Sequence, residues 1–127
     1  VIVLDASAAL AALLNAGVAR RTLGDEQLHA PHLVDAEVAS SLRRRVAAGQ
    51  VGVEAARAAL HTWQRLGMTR YPVVGLLGRV WELRENVSAH DAVHVALAEF
   101  LDCALLTADA RLSRAPGTRC SITVVPC

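Results

Sequence analysis

Four carboxylates sit where a chain could use them together. Asp5 directly follows the apolar, β-branched run Val1-Ile2-Val3-Leu4, and Asp109 comes just after the apolar run Cys103-Ala104-Leu105-Leu106-Thr107. If both runs are parallel strands of one sheet, both acids lie at its carboxyl edge, where open α/β sheets bind ligands. Glu37 lies inside a long apolar-periodic segment. At about 100° per residue it falls roughly 60° to one side of Val34, at the margin of a buried stripe of Val34, Val38 and Leu42. Asp91 lies in the first turn of a helix that Ser88 can cap and that leads into the strand delivering Asp109. Carboxylates sharing one pocket repel, and some would protonate at neutral pH without a counter-charge. A hard divalent cation removes that problem, and oxygen-only donors favour Mg²⁺ or Mn²⁺ over Zn²⁺. Such a site lowers the pKa of a bound water and stabilises charge on a phosphodiester, so the chemistry implied is phosphodiester hydrolysis.

Each acid also has a plainer explanation. Glu37 could pair on the surface with Arg44, and Asp91 could simply complement a helix dipole. Asp25 and Glu26 read as a solvated turn, Asp35 as a first-turn acid, and Glu99 and Asp102 as solvent-facing acids near a helix end. His90-Asp91-Ala92-Val93-His94 invites a rival chemistry, because it has the spacing of a zinc-protease helix with Asp in place of Glu. No third ligand follows, and a zinc hydrolase on His90 and His94 leaves Asp5 and Asp109 unexplained. His29, His32 and His61 have no partner at a metal spacing. Trp63 and Trp81 fall within amphipathic helices, as core or interface residues.

The elements that must position these residues follow from hydrophobic periodicity. Strands are expected at Val1–Leu4, Gln27–Ala30, Thr69–Val74, Cys103–Thr107 and Ile122–Val125, the third weakened by Pro72. Helices are expected at Ala8–Leu14, Val18–Leu23, His32–Ala48, Val53–Leu66, Leu76–Glu85 and Ala89–Leu101, and a loop over Ala110–Thr118. The two long helices form an antiparallel hairpin. Short apolar strands alternating with helices define an α/β class, with a mostly parallel sheet of about four to five strands covered on both faces.

The 127-residue length suits one domain. The apolar fraction is 54% with only 3% aromatic residues, so the core is aliphatic. No apolar run reaches the roughly 18 residues of a membrane span, and Val1–Leu14 carries Asp5 and lacks the basic start of a signal peptide. The three cysteines lack CxxC spacing, which points to a reduced, cytoplasmic protein with one thiol in a strand and two in the tail. The net charge of +1 selects no partner, but all 13 basic residues are Arg. The run Arg43-Arg44-Arg45 can complement a helix end or touch phosphate. Excess apolar surface on the hairpin from His32 to Leu66 marks a protein interface.

Read in order, these motifs resemble a known family. Leu4-Asp5-Ala6-Ser7-Ala8 resembles the D-x-S/T opening of PIN-domain nucleases, and Ala36-Glu37-Val38 is similar to the family's second acid. Ser88-Ala89-His90-Asp91-Ala92-Val93-His94 resembles the third motif, and Leu105-Leu106-Thr107-Ala108-Asp109 the fourth. The resemblance spans residues 1–127 and is nearest to the VapC-type toxins of toxin–antitoxin pairs. It implies an α/β/α sandwich and an endoribonuclease acting on RNA such as tRNA or ribosomal RNA. It also implies a small antitoxin partner and a homodimer. In that picture Asp5, Glu37, Asp91 and Asp109 hold the metal, Ser7 and Thr107 support them by hydrogen bonding, and Arg44 and His90 are candidate RNA contacts. Many relatives carry Tyr where this chain has His90 and His94. A PIN fold that binds RNA or protein without catalysis is the remaining alternative.

Overall fold

The computed structural model describes residues 1–127. Five short strands form one sheet: β1 Ile2–Leu4, β2 Leu28–Pro31, β3 Thr69–Tyr71, β4 Ala104–Thr107 and β5 Ile122–Val124. Their order is β3-β2-β1-β4-β5, and every pairing is parallel. The chain winds outward from β1 to one side and then returns to its other side, so the order reverses between β1 and β4. That reversal leaves a crevice at the carboxyl ends of the two central strands.

Six α-helices cover the sheet: α1 Ala6–Leu14, α2 Val18–Asp25, α3 Leu33–Ala47, α4 Val53–Arg65, α5 Leu77–Glu82 and α6 Ala89–Leu101. Side-chain alternation along the strands assigns them to layers. Ile2, Leu4 and Leu106 pack with Leu10 of α1, Val34 and Val38 of α3 and Trp63 of α4. Val3 and Leu105 pack with Val80 of α5 and with Val93 and Leu97 of α6. Strands buried on both faces are therefore apolar throughout, as β1 shows with all three residues buried.

The structure differs from the sequence pattern in local detail. The third strand stops at Tyr71, before Pro72, and a 3₁₀ turn at Val74–Leu76 leads into α5. That helix covers only Leu77–Glu82, because the chain then tightens into three-residue turns, with Arg84 N–H donating to Trp81 O and Asn86 N–H to Leu83 O. A 3₁₀ turn, Leu112–Arg114, interrupts the expected loop and buries Leu112. Asp35 does more than meet a dipole: it accepts from Trp63 Nε1 at 2.8 Å and from Arg70 Nε and Nη2 at 2.7 and 2.9 Å. It thereby pins α4 and β3 to the start of α3. Trp63 is a core residue, whereas Trp81 lies exposed beneath the Arg84 guanidinium.

Glu99 corrects the expectation of a solvated acid. Arg79 donates to it through Nε at 2.6 Å and Nη2 at 3.2 Å, and the Arg119 backbone N–H donates at 2.7 Å. The thiols also depart from the pattern. Cys103 precedes β4 rather than lying inside it. Cys120 is no tail thiol: it is half-buried next to the start of β5, and burial pushes it up to about 11.

Candidate active site

Three helix N-termini face the carboxyl edge of the sheet. Helices α1 and α3 follow β1 and β2, and α6 runs back against β4 before entering it. Their dipoles make this edge favourable for negative charge.

Asp5 caps α1. Its Oδ1 accepts from the Ala8 N–H at 2.9 Å and from Ser7 Oγ at 2.7 Å, and its Oδ2 accepts from Thr107 Oγ1 at 2.5 Å. Asp5 is 6% exposed and Thr107 is fully buried. A carboxylate at this depth would be costly alone, but hydrogen bonds to a charged group contribute about 1.5–3 kcal/mol each. Three donors are therefore enough to hold it. Each hydroxyl has one proton. With both protons directed at Asp5, the 3.1 Å contact between Ser7 Oγ and Thr107 Oγ1 is left without a shared proton. Backbone donors fill that place: Ala108 N–H reaches Ser7 Oγ at 2.8 Å and Asp109 N–H reaches Thr107 Oγ1 at 3.0 Å. Ser7 and Thr107 thus tie the loop after β4 to the acid after β1.

Asp91 follows the Ser88 cap, whose Oγ accepts from the Asp91 N–H at 3.2 Å. Burial pushes the Asp91 carboxyl above the usual range; Ser88 and His94 oppose this, while Asp5 and Asp109 push it further up. Asp91 therefore lies close enough to Asp5 and Asp109 for their charge to reach it. Asp109 itself is held below the usual range by its bonds to Arg111, whose Nε lies 3.2 Å from Oδ1. Arg111 is 84% exposed, so that contact is a weak surface pair.

Glu37 does not pair with Arg44. Its Oε1 lies 2.7 Å from His94 Nε2, while Arg44 donates to Ser40 and Ser41 at 3.0 Å each. Glu37 lines a surface groove with Ala6, Ser40, Ser41, Arg44 and His90. That groove brings the second acid beside the chain neighbours of Asp5 and Asp91. His90 is exposed while His94 is 1% exposed and turned to Glu37, so the two imidazoles face different surroundings.

As placed, no three Asp, Glu, His or Cys side chains are gathered so that they could hold one metal ion. The acids share an edge but not a common point. Asp109 is engaged by Arg111 and both Asp5 oxygens face protein donors, while Glu37, bonded to His94, lies on the groove beside Ala6 and His90. Every donor facing the edge from these acids is oxygen, the set that suits Mg²⁺ or Mn²⁺. Burial does most to raise Asp91, and the part that Asp5 and Asp109 add is of the kind a bound cation relieves.

A five-stranded parallel sheet with acids at its central carboxyl edge defines a PIN-type α/β protein. The sequence matches the PIN domain over residues 2–117, and the chain belongs to the PIN-domain family. Within that family it stands among the VapC proteins. It is 61% identical over 125 residues to Ribonuclease VapC9 of Mycobacterium tuberculosis, covering 98% of each chain. Among solved structures, the Mycobacterium tuberculosis toxin VapC20, described as cleaving the sarcin–ricin loop, superposes with a TM-score of 0.68. That match is 23% identical and covers 94% of this chain and 97% of the other, so it bears on the fold. VapBC2 of Rickettsia felis, bound to a promoter DNA fragment, matches with a TM-score of 0.66 at 11% identity, covering 96% of each chain.

Proposed function

We propose that this chain is a divalent-metal-dependent endoribonuclease and the toxin of a toxin–antitoxin pair. The observation that carries the reading is the placement of Asp5 after β1 and Asp109 after β4, parallel neighbours in the sheet, with Asp91 in the first turn of the helix that leads into β4. With Glu37 these are the residues to hold Mg²⁺ or Mn²⁺. When bound, the cation supplies an activated water and stabilises charge on the scissile phosphodiester. Ser7 and Thr107 fix the Asp5 carboxylate by donating to its two oxygens. Arg44 and His90, on the groove beside Glu37, are the candidates to contact RNA phosphate.

The relatives named as VapC ribonucleases support RNA as substrate. A structured RNA such as tRNA or ribosomal RNA is the proposed target class. For the antitoxin, the surface between α3 and α4 offers an apolar groove containing Leu42, Val46, Val53 and Leu60, flanked by Arg43 and Arg57. It suits an amphipathic segment with acidic flanks, and a homodimer contact is proposed nearby. No helix is long and apolar enough to cross a membrane. A cytoplasmic setting is proposed from the free thiols and the RNA substrate.

A non-catalytic binding role has no support in the intact acids. A zinc site on His90 and His94 is not favoured, because His94 is committed to Glu37. The deciding experiment incubates purified protein with total RNA in Mg²⁺ or Mn²⁺, with and without EDTA, beside Asp5→Asn. Cleavage that needs the metal and vanishes in Asp5→Asn is expected. Undiminished cleavage in EDTA would rule out the metal site.

A further inference from the structure

His94 combines two features that a core residue rarely combines. Its ring is 1% exposed, between Val93 and Val95 on α6, yet its Nδ1 is buried with no hydrogen-bond partner. Its other nitrogen, Nε2, lies 2.7 Å from Glu37 Oε1. A buried polar atom left unpaired costs stability, and Leu or Phe would fill such a position without that cost. The ring earns its place only through Nε2. Because Nδ1 faces no acceptor, the ring proton belongs on Nε2, where the carboxylate accepts it.

The connectivity explains what this bond does. Helix α3 packs on one face of the sheet and α6 on the other. The Glu37–His94 bond therefore joins the two helical layers. His94 also lies three residues after Asp91, so one side of α6 presents Asp91 to the edge that carries Asp5 and Asp109 and His94 to the second acid. Glu37 is 21% exposed and has three rotatable side-chain bonds, so without a partner it would sweep the groove beside Arg44 and His90.

We infer that His94 is a positioning residue, the group that holds the Glu37 carboxylate in place for the metal and RNA site. The inference rests on the metal-dependent reading proposed above. Holding a carboxylate ligand by a buried donor is worth about 10- to 100-fold in metal affinity or activity.

The test uses the full chain in four forms beside wild type: His94→Leu, His94→Gln, Glu37→Gln and the double variant His94→Leu/Glu37→Gln. Mn²⁺ binding is read by calorimetry, RNA cleavage by kinetics, and stability by thermal melting. His94→Leu is expected to melt no lower than wild type yet to bind Mn²⁺ about 10- to 100-fold more weakly. His94→Gln, whose amide N–H can reach near the Nε2 position, is expected to recover most of that loss. The double variant is expected to be no worse than Glu37→Gln alone, because the histidine acts only through the glutamate. Should His94→Leu fail to fold, His94→Phe, closer to imidazole in shape, carries the same measurement. Wild-type Mn²⁺ affinity and cleavage in the folded apolar variant, beside a weakened Glu37→Gln, would overturn the positioning role alone. Wild-type behaviour in Glu37→Gln would instead remove Glu37 from the site, and with it the ground for this inference.

Discussion

Helix α6 carries two partly buried acids roughly two turns apart, and they have opposite fates. At the amino end, burial raises Asp91, Ser88 and His94 oppose this, and Asp5 and Asp109 add to the rise. At the carboxyl end, burial alone would raise Glu99 as well, but the bonds from Arg79 and the Arg119 N–H outweigh it and hold Glu99 below the usual range. Both acids are partly buried, and burial raises both. The difference is the sign of the neighbours. An acid matched to an arginine fastens the fold, whereas acids gathered on acids keep a demand for positive charge that a bound cation can meet. The same contrast separates Asp35, fastened by Arg70 and Trp63, from Glu37, held by a histidine at the mouth of the groove.

This contrast breaks most directly with Asp91→Asn. Cleavage is expected to fall at least about 10²-fold, because metal coordination and charge stabilisation contribute several kcal/mol to such reactions. The melting temperature is expected to hold or rise, since the change removes a half-buried charge next to two like charges. A lower melting temperature with intact cleavage would make Asp91 structural and erase the distinction. Glu99→Gln should do the reverse. It leaves Arg79 beside a neutral amide and is expected to destabilise by about 1–3 kcal/mol while cleavage per folded molecule stays unchanged. Urea unfolding together with kinetics reads both quantities.

Acid titration sharpens the comparison further. Asp35 and Glu99 both have folded pKa values below their unfolded ones. Their stabilisation is therefore fully present above the unfolded values and is lost as pH falls through the folded values. The stability gap between wild type and Glu99→Gln is expected to be constant near neutral pH and to close below about pH 4. A gap unchanged down to acid unfolding would deny the Arg79–Glu99 pair its role. The smallest effect is expected from Arg44→Ala, an exposed cation on the groove. RNA binding should weaken a few-fold, and the slope of log affinity against log salt should flatten by about one. An unaltered slope would confine Arg44 to its bonds with Ser40 and Ser41.

Asp5 and Asp109 were legible before any coordinates because each ends an apolar run, and runs of that kind in an α/β chain share a carboxyl edge. The limits of α6 were legible because Ser88 is a strong local cap, whereas β2 runs one residue past its expected end, through Pro31. Glu37 was half legible: its place at the margin of the buried stripe was right, but spacing offered only a site at the sheet edge or a surface pair with Arg44, and not His94. The pairing with His94 spans 57 residues and depends on two helices from opposite faces meeting. No local pattern encodes that. Glu99 was misread because its partners, Arg79 and Arg119, lie 20 residues away on either side.

The order of residue types determined that this chain folds as a parallel α/β sheet with acids at the ends of its central strands, because strand period, helix period and turn chemistry are local properties. Tertiary structure decided that Asp35 and Glu99 are matched to arginines while Asp91 lies beside Asp5 and Asp109. That choice depends on distances between segments remote in sequence, and Coulomb energy is set by distance and burial rather than by order along the chain.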